Sequence, residues 1–324
     1  MLARAFSAND PLLEFANDVT LGLTQEKQKE LPSKYLYDEL GSVLFEAITL
    51  LPEYGLTRAD GRVIRRSAPE IGRYFGGALI AELGSGSGKK TRHILNACLK
   101  GPSLTYAPID LSPAALAACA GQLGNGAIEV HPIAASYLDG IGRAAALRQR
   151  KQKLLVLFLG STIGNFDRNG AVEFLRKIGG CLLPGDGLLL GTDLEKPIPE
   201  MLVAYDDPTG VTAAFNLNLL GRINRELGGD FDLRMFQHEA RYDAEHRRIE
   251  MHLRSKADQT VTIPEAQLRV SFVCGETIWT EASHKFALAE LPRMAAEAGF
   301  VHQQHWIDEE WPFAESLWMR AAGP

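Results

Sequence analysis

Leu79-Ile-Ala-Glu-Leu-Gly-Ser-Gly-Ser-Gly-Lys-Lys-Thr-Arg-His-Ile-Leu95 is the stretch that decides the fold. Ala78 to Leu83 is an apolar run, broken only by Glu82, with the length and character of a buried parallel strand. Gly84, Gly86 and Gly88 follow at alternate positions. Glycine belongs where backbone turns with positive φ or lies close against a ligand. A helical pattern then starts near Lys89, with Ile94, Leu95 and Cys98 as its apolar face. Strand, glycine turn and helix is the way nucleotide-binding α/β domains begin.

The spacing separates three ligands. A dinucleotide fingerprint needs G-x-G-x-x-G, and Lys89 stands where its third glycine belongs. A P-loop needs G-x-x-x-x-G-K-[ST]; Leu83 takes its first glycine position and Lys90 its Ser/Thr position. Glu82-x-Gly84-x-Gly86-x-Gly88 is instead similar to the acidic signature of S-adenosylmethionine-dependent methyltransferases. A glycine-rich surface turn without a ligand is the plainer alternative. Leu104 to Asp110 reads as the next strand, and its terminal acid lies 26 positions beyond Gly84. An acid about 20 residues on is where a ribose diol is gripped. Asp110 also suits the helix start at Ser112-Pro113, and both roles are compatible.

The 324 residues suffice for one large domain or two modest ones, and 46% hydrophobic with 23% charged residues is ordinary globular composition. A net charge of −6 argues against a nucleic-acid partner, which calls for basic surface. Met1 to Leu23 is broken by Asn9, Asp10, Glu14 and Asp18, so it does not read as a signal peptide. No apolar run reaches the ~18 residues of a membrane span. Cys98, Cys119, Cys181 and Cys274 form no C-x-x-C pair and are expected to be buried free thiols in a reducing cytoplasm. His302 and His305 lack further ligands at metal spacing, so no metal is expected.

Residues 76–195 alternate strand and helix, with strands at Ala78–Leu83, Leu104–Asp110, Ile128–Ile133, Leu154–Leu159 and Gly187–Thr192. This predicts a parallel sheet covered on both faces, with ligands beyond its carboxyl edge. Gly160-Ser-Thr-Ile-Gly-Asn165 follows the wholly apolar fourth strand and so faces that crevice. Before the sheet, Pro11 to Leu23 and Ser42 to Thr49 have helical spacing. Beyond Pro199, Met201 to Leu227 reads as helix interrupted at 206–210. Strands are expected at Phe236–Tyr242, Arg247–Arg254, Val261–Ile263 and Leu268–Thr280, then helix from His284 to Gly299. Phe300–Ile307 and Ala314–Arg320 complete the sheet as a hairpin. The domains so drawn are 61–196 with 287–324 for the sheet, and 1–60 with 197–286 for a second, α+β lobe.

Several segments together resemble one family. They are Leu31-Pro-Ser-Lys-Tyr-Leu-Tyr-Asp38, Leu51-Pro-Glu-Tyr-Gly-Leu-Thr-Arg58, Phe158-Leu-Gly-Ser-Thr-Ile-Gly-Asn165, Leu190-Gly-Thr-Asp193, Phe215-Asn-Leu-Asn218, Arg248-Ile-Glu-Met251 and Thr280-Glu-Ala-Ser-His-Lys-Phe286. In that order they resemble the histidine Nα-methyltransferases of ergothioneine biosynthesis. The resemblance implies a Rossmann-like class I methyltransferase sheet with a substrate lobe. It implies trimethylation of the α-amine of L-histidine to hercynine, with S-adenosylmethionine as methyl donor and no metal. Gly84, Gly86, Lys90 and Asp110 would hold the donor. Tyr54, Gly160, Asn165 and Tyr205 would hold the amino and carboxylate groups, Tyr54 and Asn165 orienting the attacking amine. Tyr37, Met251, Glu281 and Ser283 would surround the side chain. Ser136-Tyr137 stands where the family often has an acidic-aromatic pair near the adenine, so the donor contact there rests on Ser136 and Tyr137. Gly55 replaces a usual second tyrosine. The chain is expected to be a cytoplasmic monomer acting on a small molecule, with neither nucleic acid nor membrane as partner. Two other readings are a methyltransferase of another amino acid, such as tryptophan, and a non-catalytic regulator that binds the donor.

Overall fold

The computed structural model describes residues 11–86, 88–124 and 126–321. The chain splits into two compact units, Met1–Gly55 with Pro197–Ser283 and Leu56–Lys196 with His284–Pro324.

The second unit is built on one sheet. Its strands are β1 (Leu79–Leu83), β2 (Leu104–Asp110), β3 (Ile128–Val130), β4 (Leu154–Phe158), β5 (Gly187–Asp193), β6 (Phe300–Asp308) and β7 (Phe313–Arg320). They lie in the order β3-β2-β1-β4-β5-β7-β6. The first five are parallel, whereas β7 is antiparallel to both β5 and β6. The expected strand Ile128–Ile133 is broken: β3 stops at Val130, and Ile133–Ala134 pairs with β2 separately. Pro132 lies in the gap and has no N–H for the ladder.

Alternation along the strands divides the core between two faces. Leu79, Ala81, Leu83, Val156, Phe158, Leu188 and Leu190 pack with Ile141, Leu175, Ile178 and Met294 from helices Tyr137–Ala146, Arg168–Gly180 and Leu291–Glu297. Ile80, Tyr106, Leu155, Leu157 and Leu189 pack with Ile64, Ile71, Phe75, Ile94, Leu95 and Leu123 from helices Leu56–Phe75, Thr91–Cys98 and Pro113–Leu123. Both faces of β1 and β4 are therefore dry, which is why their sequences run apolar instead of alternating.

In the first unit, helices Pro11–Leu23, Glu39–Ile48, Ile198–Tyr205 and Val211–Leu227 accompany a four-stranded sheet. Its order is Lys29–Glu30, Thr277–His284, Arg248–Ser255, Phe236–Asp243. A two-stranded ribbon pairs Gln259–Ile263 with Leu268–Phe272. The interruption expected at 206–210 is present. Asp207 accepts the Val211 and Thr212 amides at 3.1 and 2.8 Å and starts the next helix.

Four expectations are corrected. The helix Leu56–Phe75 was not expected, and it moves the first junction between units from residue 60 to 55. Its apolar positions keep helical spacing, and Pro69 is accommodated inside it. The single strand expected over Leu268–Thr280 is two, parted by a turn at 273–276 whose Glu276 carboxylate takes the Val273 amide. The strand Thr277–His284 runs on through His284, so the helix expected from that residue is reduced to Leu291–Glu297 after a short 3₁₀ turn. Cys274 lies exposed in the 273–276 turn, while Cys98 and Cys119 are buried. No described helix is long and apolar enough to cross a membrane.

Candidate functional site

In the second unit the glycine loop leaves β1 with φ of +68° at Gly84, +48° at Gly86 and +67° at Gly88. These left-handed values are costly for residues with a Cβ. Space divides the three. A Cβ on Gly84 would meet Tyr137 Oη at 3.2 Å, and one on Gly88 would sit 2.6 Å from Leu123 Cδ1. At Gly86 it would meet nothing within 4 Å. Gly88 thus serves helix packing, and Gly84 and Gly86 keep the backbone accessible. The Gly84 amide donates to Ile109 O at 2.9 Å, which ties the loop to β2.

Glu82, the acid of the motif, points into the core. Thr91 Oγ1 donates to both its oxygens at 2.8 and 2.9 Å, and Tyr106 Oη donates to Oε2. Burial pushes its carboxyl up to about 7, against the opposing effect of these hydrogen bonds. Glu82 therefore locks β1, β2 and the following helix together. Lys90 is ion-paired with Asp60 of the unexpected helix. Burial would lower its ammonium, but the charge and hydrogen bond of Asp60 hold it above the usual lysine value. Asp60 and the fully buried Glu315 were missed by the sequence reading. A charged residue on the apolar stripe of helix Leu56–Phe75 would have been the signal, once that helix was seen.

Asp110 ends β2, half-buried, and accepts the Ser112 amide at 2.9 Å. Burial raises its carboxyl, and the Ser112 and Leu111 amides oppose the rise. The N-cap of helix Pro113–Leu123 is Ser112 and not Asp110, which only accepts the Ser112 amide ahead of the helix. Ser136 is likewise an N-cap. Its hydroxyl donates to Asp139 Oδ2 at 2.7 Å and accepts from the Asp139 amide, so it is used within its own helix. Tyr137 packs edge-on to Phe158 at 5.7 Å, with its hydroxyl over Gly84 and its pKa raised by burial to about 12. Gly160 precedes and Asn165 ends a 3₁₀ turn beyond the carboxyl end of β4, with Asn165 exposed. A Cβ on Gly160 would lie 3.4 Å from Lys90 Nζ, so the glycine loop and this turn meet there.

In the first unit the expected side-chain residues are brought together. Glu281 and Ser283 share one face of strand Thr277–His284. Tyr37 Oη donates to Glu281 Oε1 at 3.4 Å, and Tyr205 Oη to Ser283 Oγ at 2.7 Å. Tyr54 is buried and packs edge-on to Tyr205 at 6.1 Å. Met251, also buried, lies on the adjacent strand, where its carbonyl accepts Thr280 Oγ1 at 3.0 Å. Phe45 joins the group unexpectedly, edge-on to both Tyr37 (5.5 Å) and Tyr54 (6.4 Å). Phe215 closes the chain of rings against Tyr37 at 5.5 Å. Beside Tyr37, Asp38 caps helix Glu39–Ile48 and accepts from Asn218 Nδ2 at 2.7 Å and from Arg225 at 2.5 Å. No group of three or more potential metal ligands occurs among the described residues.

Comparisons with known proteins bear on this geometry. A family profile described as histidine-specific methyltransferase, SAM-dependent, matches residues 15–320. A histidine N-alpha-methyltransferase of Mycolicibacterium smegmatis is 39% identical over 322 residues, 98% of this chain and 99% of that one. One of Mycobacterium tuberculosis is 40% identical over 308 residues, 94% of each chain. An L-tryptophan methyltransferase of Psilocybe serbica is 28% identical over 311 residues, 87% of this chain and 86% of that one.

Proposed function

This chain belongs to the S-adenosylmethionine-dependent, histidine-specific methyltransferase family, and on that premise we propose that it methylates the α-amine of L-histidine three times to give hercynine. Its sheet is that of a Rossmann-like class I methyltransferase. The observation that carries the histidine reading is the pairing of Glu281 with Tyr37 and of Ser283 with Tyr205 on one strand face. An imidazole offers one ring donor and one ring acceptor. A carboxylate accepts from the first and a hydroxyl donates to the second.

S-adenosylmethionine supplies an electrophilic methyl group on a sulfonium. The loop fits such a ligand, since Gly86 faces open space and Gly84 lies under the Tyr137 hydroxyl where a Cβ would intrude. Gly84, Gly86, Lys90, Asp110 and Tyr137 are the residues that would hold it, with Asp110 on the ribose hydroxyls, whereas the Ser136 hydroxyl is taken by Asp139. Methyl transfer is an in-line displacement and depends on alignment more than on acid–base strength. Tyr54 and Asn165 orient the lone pair of the neutral amine, and Gly160 and Tyr205 complete the grip on the amino and carboxylate groups. Each methylation requires the amine to lose a proton first, and Tyr54 with water gives that proton a route out. The chemistry asks for no metal and no covalent intermediate. The unit of action is a cytoplasmic monomer on a small-molecule substrate.

Mass spectrometry of histidine incubated with protein and S-adenosylmethionine tests the proposal. Gains of one, two and three methyl groups on the α-nitrogen are expected. Methylation of tryptophan but not histidine would replace it with the other amino-acid reading. Donor binding without turnover of either would leave a regulator.

A further inference from the structure

The turn 160–165 is braced far more heavily than a loop between strand and helix requires. Gly160 and Ser161 both adopt left-handed backbone, with φ of +74° and +62°. For Ser161 this costs about 1–2 kcal/mol, so neighbours must hold it. Ser161 Oγ accepts the Asp193 amide at 2.8 Å. The Asp193 carboxylate is in turn fixed by two fully buried lysines, Lys196 at 2.6 Å and Lys285 at 2.9 Å, and by Trp311 Nε1 at 3.2 Å. The segment 284–286 is pinned to the end of β5, because the Phe286 amide donates to Asp193 O at 3.0 Å and the Glu195 amide to Phe286 O at 3.1 Å. Arg168 donates to the Lys285 carbonyl from the other side.

His284 stands in that pinned segment, 3% exposed, with Nδ1 at 2.9 Å from the Gly164 carbonyl oxygen. A carbonyl only accepts, so Nδ1 carries the proton. The backbones are also in contact there, since a Cβ on Gly164 would lie 2.9 Å from His284 O. Gly164 immediately precedes Asn165.

We infer that His284 is the positioning residue for Asn165: its Nδ1–H fixes the Gly164 carbonyl and so sets the direction in which the Asn165 amide meets the amine. The inference rests on the reading that Asn165 orients that amine. It assigns no contact between His284 and either substrate.

Side-chain chemistry supplies the test. Asparagine Nδ2 and histidine Nδ1 are both bonded to Cγ, so His284→Asn keeps a donor at the required place. His284→Gln moves the donor one atom outward, although it fills the volume better. Turnover is counted per titrated S-adenosylmethionine site, which removes misfolded protein from the comparison. We expect His284→Leu and His284→Gln to lower kcat for histidine about 10- to 100-fold, the scale of a small misplacement of a reacting group, and His284→Asn to stay within about 5-fold of wild type. Donor affinity should stay within about 2-fold in all three, and in an Asn165→Ala background His284→Leu should change kcat by less than about 2-fold, because the two residues act as one unit. Glutamine rescuing as well as asparagine would overturn the inference, as would losses that multiply independently in the double variant. If His284→Leu does not fold, the asparagine–glutamine ranking still decides. A wild-type protein that methylates another amino acid instead would sink the histidine assignment alone, and the same ranking would then be read on that substrate.

Discussion

The two units hold their share of the expected site by different means. In the second, backbone does the holding: Gly84, Gly86 and Gly160 have positive φ, Asp110 is the last residue of its strand, and Asn165 ends the 3₁₀ turn beyond β4, in a sheet with two dry faces. In the first, side chains hold one another. Tyr37 meets Glu281, Tyr205 meets Ser283, and the rings of Tyr37, Phe45, Phe215, Tyr54 and Tyr205 pack edge to face. A backbone-held site is set by the fold and loses one interaction when one side chain is changed. Where such a pair is buried, as Tyr205 and Ser283 are, removing one member leaves the other unpaired and the penalty grows, whereas the Tyr37–Glu281 pair is exposed.

The widest gap between the two should appear at Glu281. Glu281→Ala is expected to lower kcat/KM for histidine by about 100-fold or more, as sites built to hydrogen-bond a polar group reject analogues strongly. Donor affinity should be unaffected, and the histidine-to-tryptophan ratio should collapse; an unchanged ratio in steady-state assays would end the role given to Glu281. Next is the lock inside the sheet. The folded Glu82 holds its proton to about 7, whereas the unfolded chain releases it at the usual carboxylate value. Between those values the folded state binds more protons, so this group's contribution to stability falls as pH rises, by roughly 2–3 kcal/mol from pH 5 to 8. Urea unfolding at both pH values should show that loss in the wild type and a flatter slope in Glu82→Gln. Asp110→Ala should weaken S-adenosylmethionine by roughly 1.5–3 kcal/mol, the worth of a charge-assisted hydrogen bond. Calorimetric affinity equal to wild type would reduce Asp110 to its bond with Ser112. Smallest is Ser136→Ala, which should cost about 1 kcal/mol of stability as a lost N-cap. Its effect on donor affinity should be under about twofold, because the hydroxyl is already engaged with Asp139; a tenfold loss of donor affinity would return Ser136 to the adenine.

The sheet was legible because its signals are local. Apolar runs, alternate glycines and an acid at a strand end each need only a few neighbouring residues to be read. Helix Leu56–Phe75 was not legible because Pro69 imitates a terminus, although here it is accommodated inside the helix. Without that helix, Asp60 had no face to be buried on and the setting of Lys90 was invisible. The split at 273–276 was hidden because both flanking runs read as one strand, and only their pairing with different partners separates them. In the first unit the family motifs supplied Tyr37, Glu281 and Ser283. The ring of Phe45, placed by helix Glu39–Ile48 and met by tyrosines at positions 37 and 54, depends on tertiary packing that no spacing encodes.

The strand order also bears on the chain during synthesis. β5, which carries Leu188, Leu189 and Leu190, takes one of its two neighbours from β7, at residues 313–320. Until those residues leave the ribosome, the nascent protein carries an apolar strand with an unsatisfied edge, and more than a hundred residues of other structure must emerge in the meantime. Such edges recruit other chains. A stop codon a few residues before position 313 would therefore remove no expected site residue, and yet leave a product with an open, adhesive border where the finished molecule has a closed hairpin.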